Sequence, residues 1–511
     1  MRWHAWDRGW LAVVLAGLIA LAIHQNGWWH DFPIGLGQDE IPFALAAARV
    51  ASAGDLNPKW FQHPGSTTIY PLALMLHFWN ALSFGGPLTA PDPSLASRVA
   101  SDPAPAVLFG RVISTAYLLA SLPFLYLIGR RAFGRRVAIV ACWLWVLLPI
   151  PGIHAEVLRT DTAGTFFGLV VVWLTLRYRA APSLTAAVAV GAAGGLATAS
   201  RYFIAVYLIW FAGVALVTVR RVVPVARDVL AAGLVALLVF FLVSPFLALD
   251  YPTTVAGLTH EMRTGQIGAD GLAPPEKFGW YLGVALPMIL SWPVMVASVA
   301  GIVIALVRRS QEQFLIAALV IFFTASISVP ALHWVRWVIP VAPILLLFAA
   351  AAVLDVSRLP VGSPRLRTAL TGVALAAIFA IPGWQMAIQT VSRTRDSTGI
   401  EARLWITENI PRGTRVVTEP LGPVIEDLGL DVEVVPHLAV GDLAEFRARK
   451  VRFLISTSYV YGRFTSDPDR FDWVLDGYTV IRREARLAKE FKPSTFQSGP
   501  SIWVYDLDTV R

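Results

Sequence analysis

The chain has 511 residues, 56% of them hydrophobic and only 15% charged, with a mean hydropathy of +0.61. Apolar runs near membrane length recur from Trp10 to about Ile388, which excludes an ordinary soluble multidomain protein and points to a polytopic membrane protein. The net charge of +8 gives no nucleic-acid partner, because most arginines lie in short turns between apolar runs, where they set topology; the single cysteine, Cys142, excludes a disulfide framework.

The first apolar run, 10–25, follows a basic start. It lacks a small-residue cleavage site and ends near Trp28 and Trp29, an interfacial pair. It reads as a retained first helix. Next comes "GLGQDEIPFALAAARVASAGDLNPKWFQHPGSTTIYPL", with Asp39 and Glu40 side by side. The apolar run 66–84 is ambiguous. Further spans are expected at 107–128, 137–154, 161–176, 183–199, 202–219, 228–249, 281–307, 313–331, 335–355 and 368–388.

Five arginine-bearing turns decide the ambiguous run. They hold Arg130, Arg131, Arg135 and Arg136; Arg177 and Arg179; Arg220, Arg221 and Arg227; Arg308 and Arg309; and Arg358, Arg365 and Arg367. If 66–84 does not cross, all five share the side of the basic N-terminus, the positive-inside pattern. The expectation is an α-helical polytopic domain over 1–388 with about eleven transmembrane helices. The N-terminus is cytoplasmic, and outer loops fall at 26–106 and 250–280. From 389 to 511 charge density rises. "TRVVTEP", "VEVVPHL", "VRFLISTS" and "SIWVYDL" read as strands, while "IEARLWITENI" and "GDLAEFRARK" read as helices. This is a small extracytoplasmic α/β domain.

Ionisable groups near the bilayer cost about 2.5–3.5 kcal/mol on insertion scales and usually face a cavity or partner. Here they fall on one side: Asp39, Glu40 and His63; Arg111; His154, Glu156, Arg159 and Asp161; Arg201; His333 and Arg336. Snorkelling explains a single arginine such as Arg111 or Arg159. A helix cap explains Asp161, or Asp39 alone. Neither explains the coincidence. Carboxylates beside arginines suit a transfer in which a hydroxyl attacks and a phosphate leaves. At a membrane the phosphate is naturally the headgroup of a polyprenyl phosphate.

The order "GQDEIPFALAAARVASAGDLNP", "HPGSTTIYPLALMLHFWNAL", "FGRVISTAYLLASLPFLYLIGRRAFGRR", "RTDTAGTFF" and "VRWVIPVAP" resembles the GT-C membrane glycosyltransferases. The likeness is to their family-39 branch of dolichyl-phosphate-mannose–protein mannosyltransferases and bacterial aminoarabinose lipid A transferases. It covers about residues 10–390. It implies an inverting hexosyl- or pentosyltransferase using a polyprenyl-phosphate sugar. Asp39 would be the general base and Glu40 its neighbour, with Asp161 a second acidic position. Arg201 and Arg336 would contact phosphate, with His333, His63, Arg111, Arg159 and Tyr70 as further substrate contacts. Bacterial relatives often carry a lysine and two prolines before the juxtamembrane helix; this chain has "QHPGS", with His63 in that neighbourhood, and a histidine is mostly neutral at pH 7 unless its pKa is raised.

The expected partners are membrane lipids, the lipid-linked sugar donor and a glycan, lipid or protein acceptor. The expected location is the cell or inner membrane. A divalent metal enters only if the fold gathers Asp39, Glu40, His154 and Asp161. A transporter or lipid-linked-sugar flippase is the alternative, although no internal repeat is visible.

Overall fold

The structure, a computed structural model, describes residues 8–87, 89–358, 360, 362–465 and 467–510. The basic start of the chain, 1–7, on which the reading of a cytoplasmic N-terminus leans, lies outside them. Two compact units emerge. One holds the chain up to Trp28, Asp39–Thr264 and Gly271–Met386; the other holds Trp29–Gln38, Gly265–Asp270 and the chain from Ala387 onward. The second unit thus takes in a short piece of each long loop.

In the first unit α1 (Arg8–Trp28) is followed by α2 (Ile41–Ala53), α3 (Ser66–Phe84) and α4 (Ser94–Ser101). Pro42 sits in the first turn of α2, and Gly54 ends it with a φ of 74°, the left-handed cap that glycine adopts without strain. The bundle continues through α5 (Ala104–Ala132), α6 (Arg135–Leu147), α7 (Pro149–Ala155), α8 (Asp161–Ala180), α9 (Leu184–Ser200), α10 (Val206–Val219) and α11 (Val222–Val243). The short helices α12 (Phe246–Leu249) and α13 (Tyr251–Glu261) lead into the second loop. Beyond it lie α14 (Pro274–Trp280), α15 (Leu286–Leu290), α16 (Trp292–Val307), α17 (Gln311–Ile327), α18 (Ala342–Asp355) and α19 (Pro364–Ser392).

Every predicted apolar run is helical, while length and apolar content by themselves support fewer crossings than eleven. Among the described residues six helices are long and apolar enough to cross a membrane, or up to eight if each of two bent pairs is one span. The pair α6–α7 bends by 65°, and Pro274–Leu290 meets α16 at 117°. The first bend falls where extended Leu148 precedes Pro149, since proline disfavours the helical region for the residue before it. The second falls at Ser291, ahead of Pro293 in the first turn of α16. Apolar content alone does not reveal such breaks. Helices α9 and α17 have 17 residues each. α3 has 19 residues but is not among the six.

Helix α18 runs through the core, with every residue from Ala342 to Ala350 buried. Small residues allow its neighbours close: a Cβ on Gly301 would collide with the Phe348 carbonyl. Likewise a Cβ on Gly191 of α9 would strike the Ala232 carbonyl of α11, the backbone approach that small residues permit between apolar helices. At one end of the bundle Arg131 and Arg179 share Glu312, at 2.8 and 3.4 Å. Arg308 and Arg358 share Asp355, at 2.5 and 2.9 Å.

The second unit contains α20 (Thr398–Asn409), β1 (Arg415–Thr418), β2 (Asp431–Val434), α21 (Leu443–Ala448), β3 (Phe453–Thr457), α22 (Ser458–Thr465), α23 (Asp472–Glu484), β4 (Ala485–Phe491) and β5 (Ile502–Val510). The sheet order is β2-β1-β3-β5-β4. β1 is parallel to β2 and β3, and β5 is antiparallel to β3 and β4. Alternation decides the faces. Val416, Phe453, Ile455, Ile502 and Val504 pack on Ala402 and Ile406 of α20. Val417, Leu454 and Tyr505 pack with Phe446, Phe464, Tyr478 and Ile481 on the other side.

Candidate functional site

The two adjacent acids, Asp39 and Glu40, diverge. Glu40 is 1% exposed and Arg111 4%. Arg111 donates through Nε and Nη2 to the two Glu40 carboxylate oxygens at 3.0 and 2.8 Å, and through Nη1 to the Trp28 carbonyl at 2.9 Å. Glu40 also accepts the Leu158 backbone N–H at 2.8 Å. A buried ion pair holds when its geometry is bidentate and its remaining positions are satisfied, and this one meets both conditions. It ties the end of α1, the start of α2, α5 and the loop before α8. Glu40, expected as the neighbour of the base, and Arg111, expected as a substrate contact, are thus paired with each other.

Asp39 points outward, with its side chain 63% exposed, and accepts a hydrogen bond from Arg159. Asp161 opens α8 and is 2% exposed. It pairs with Arg201 at the end of α9 and lies 3.5 Å from His154 Nδ1. Arg201 also sits over the Phe203 ring at 5.3 Å. Arg336 opens the 3-10 turn Val335–Val341, with its guanidinium over the Trp334 ring at 4.8 Å. It lies within electrostatic reach of Asp161, Arg201, Glu261 and Arg263. Arg159 reaches Asp161, Arg201 and Arg336 as well. Four guanidinium groups, on Arg159, Arg201, Arg263 and Arg336, therefore lie within electrostatic reach of Asp161 or Glu261.

His63 stands 3.6 Å from Glu261. Burial, and then the charges of Arg201 and Arg336, push its imidazole down to about 3. It is neutral at physiological pH and supplies no positive charge. Glu261 moves the other way: burial raises its carboxyl above the ordinary range. His333 is buried with its ring 4.5 Å from that of Trp280. The Tyr70 hydroxyl donates to the Leu56 carbonyl at 3.2 Å.

Several buried polar atoms here have no hydrogen-bond partner: Arg201 Nε, Arg336 Nε and the Tyr202 hydroxyl. Buried donors are almost always satisfied in folded proteins, so donors left open mark a place for a ligand. The sequence reading missed Glu261, Arg263 and Tyr202. Tyr202 adjoins Arg201, and the other two lie in the second loop, whose length was noticed but not its charges. Asp39, Glu40, His154 and Asp161 do not gather into a metal centre. Three of them turn to arginines, and among the described residues no group of three His, Cys, Asp or Glu could hold a metal ion. The geometry offers an anion-binding cluster of arginines and one exposed carboxylate beside it.

Residues 94–248 match the model of a family described as dolichyl-phosphate-mannose-protein mannosyltransferase. No curated protein matches the sequence. Among solved structures, ArnT from Cupriavidus metallidurans in the apo state aligns over 97% of this chain and 98% of its own, with 13% identity and a TM-score of 0.54. The same protein bound to undecaprenyl phosphate aligns over 98% of both chains, with 14% identity and a TM-score of 0.53. The archaeal oligosaccharyltransferase AglB from Archaeoglobus fulgidus, in complex with an inhibitory peptide and a dolichol-phosphate, aligns over 88% of this chain and 69% of its own, with 13% identity and a TM-score of 0.50. From its helices to its C-terminal sheet, the chain is a multi-span membrane protein built on the GT-C glycosyltransferase fold.

Proposed function

We propose that this protein transfers a sugar from a polyprenyl-phosphate carrier to a hydroxyl acceptor, on the outer face of the cell or inner membrane and with inversion. The observation that carries the reading is the open, buried donor set of Arg201, Arg336 and Tyr202 within the arginine cluster. A phosphate headgroup would satisfy those donors, and the arginines would offset charge growing on it as it leaves. Asp39, exposed and joined to the cluster through Arg159, takes the proton of the attacking hydroxyl. The acceptor oxygen bonds to the anomeric carbon, the bond from that carbon to the phosphate oxygen breaks, and polyprenyl phosphate departs. General-base assistance of this kind contributes roughly 10²–10⁴-fold. No step here draws on a metal. The match to ArnT, solved with undecaprenyl phosphate, supports the carrier class.

Mass spectrometry of lipid extracts from cells with and without the gene tests the proposal. A polyprenyl-phosphate sugar should accumulate in the deletion strain and fall again on complementation. Unchanged lipid-linked sugars together with an unchanged surface glycan would overturn it.

A further inference from the structure

The second unit carries a cavity of about 410 Å³ lined by Tyr461, Arg482, Leu487, Trp503 and Tyr505. Its size falls within the roughly 300–1,000 Å³ of small-molecule pockets. The sheet builds its floor. Trp503 and Tyr505 alternate onto one face of β5, and β4 pairs Leu487 with Tyr505 and Glu490 with Trp503. Leu487 and Glu490 are three residues apart and would ordinarily face opposite ways; a register shift between Leu487 and Lys489 lets both stand opposite that face.

Arg482, in the last turn of α23, closes one side. Its guanidinium sits over Tyr461 at 4.2 Å and over Trp503 at 5.3 Å, and it lies within electrostatic reach of Tyr505. The plain reading is a cation complementing the end of a helix. That role needs no aromatic cradle, and it does not account for what the neighbours do. Arg483 pairs with Glu484, Arg486 with Asp506, and Trp503 and Lys492 both bind Glu490. Arg482 alone of these basic side chains has no ion pair among the described residues. Its aromatic wall is braced from behind: Tyr461 meets Tyr478 edge to face at 5.1 Å, and the Tyr478 hydroxyl donates to the buried Glu419.

We infer that this cavity binds an anionic sugar between its aromatic wall and Leu487, with the carboxylate or phosphate of the sugar on Arg482. A cationic ligand is disfavoured because Arg482 already occupies the cation position over both rings. An aromatic wall suits the C–H face of a pyranose, while the guanidinium fork suits a planar or tetrahedral oxyanion. This inference rests on no step of the proposed transfer and stands or falls without it.

Saturation-transfer NMR on the full-length protein in detergent would use three probes: methyl β-D-glucuronide, glucose 6-phosphate and methyl β-D-glucoside. Saturable binding of either anionic probe, at least about tenfold tighter than the neutral glucoside, is expected. The stronger of the two identifies the anion as carboxylate or phosphate. Arg482→Gln should abolish the preference, while Arg483→Gln, a paired neighbour, should keep it. Equal or absent binding of all three probes to the wild-type protein would overturn the inference, and so would a preference unchanged in folded Arg482→Gln. The wild-type comparison decides alone if that variant does not fold.

Discussion

Glu40 closes on Arg111 through two hydrogen bonds of 3.0 and 2.8 Å, while Asp39, one residue earlier, stays 63% exposed. Adjacent identical charges thus have opposite physical circumstances. The buried acid is bonded within the fold, and the exposed one accepts a hydrogen bond from Arg159. Removing one partner of a buried pair strands the other, at a cost of about 3–5 kcal/mol. Glu40→Gln and Arg111→Met should each lower the melting temperature of the purified protein sharply, and the Glu40→Leu/Arg111→Met double variant should recover much of the loss. Asp39→Asn should melt close to wild type. Equal destabilisation by Asp39→Asn would remove the distinction.

Arg336 makes no ion pair within 4 Å among the described residues, yet it sits in the cluster around Asp161 and Glu261. Its replacement should therefore cost activity more than stability. Arg336→Gln should reduce sugar transfer by about 10²–10³-fold, the range for losing one donor to a developing anion, and should weaken retention of polyprenyl phosphate in native mass spectra. Arg201→Gln should also destabilise the protein, because it leaves Asp161 buried and uncompensated.

Glu419 gives the second unit a pH dependence. Burial raises its carboxyl from 4.5 to about 7, even though Tyr478 and the backbone N–H groups of Thr457 and Leu438 donate to it. The folded unit therefore holds a proton that the unfolded chain releases more readily. Stability is fully present below about pH 4.5 and is lost as pH rises through about 7, by an amount on the order of 3 kcal/mol. Hydrogen exchange of β1 and β3 amides, corrected for intrinsic rates, should show stronger protection at pH 5 than at pH 8. Glu419→Gln should flatten that difference.

The proposed orientation predicts an asymmetric labelling pattern. Cys142 is fully buried, so cysteines placed at exposed positions report without removing it. Gly265→Cys and Asp396→Cys should react with a membrane-impermeant maleimide added outside cells, whereas Arg135→Cys should react only after the membrane is opened. External labelling at Arg135 would mean that α3 crosses the bilayer and every later loop changes side.

Much of the fold is legible because apolar length and arginine placement are one-dimensional properties of the chain. The bends at Leu148 and Ser291 are not, since they arise inside runs that stay apolar throughout. Asp161, Arg201 and Arg336 stood out because charge near a bilayer demands a partner, and the structure brings them together. Glu40 and Arg111 were read as site residues by the same reasoning; their pairing with each other is a long-range contact that sequence alone does not reveal. Glu261 and Arg263 passed unnoticed in a polar loop, where charge is unremarked. Strand β4, "ARLAKEF", was missed because its inner residues are largely exposed and charged, so it lacks the apolar alternation that revealed β1 and β3.

The most direct test is the transfer reaction itself, measured with purified protein, a polyprenyl-phosphate sugar and its acceptor, with the anomeric configuration of the product followed by NMR. The account predicts an inverted product from the wild-type protein and a loss of at least about 10²-fold in rate for folded Asp39→Asn, in keeping with the removal of a general base. A retained anomeric configuration, or full activity in Asp39→Asn, would contradict it.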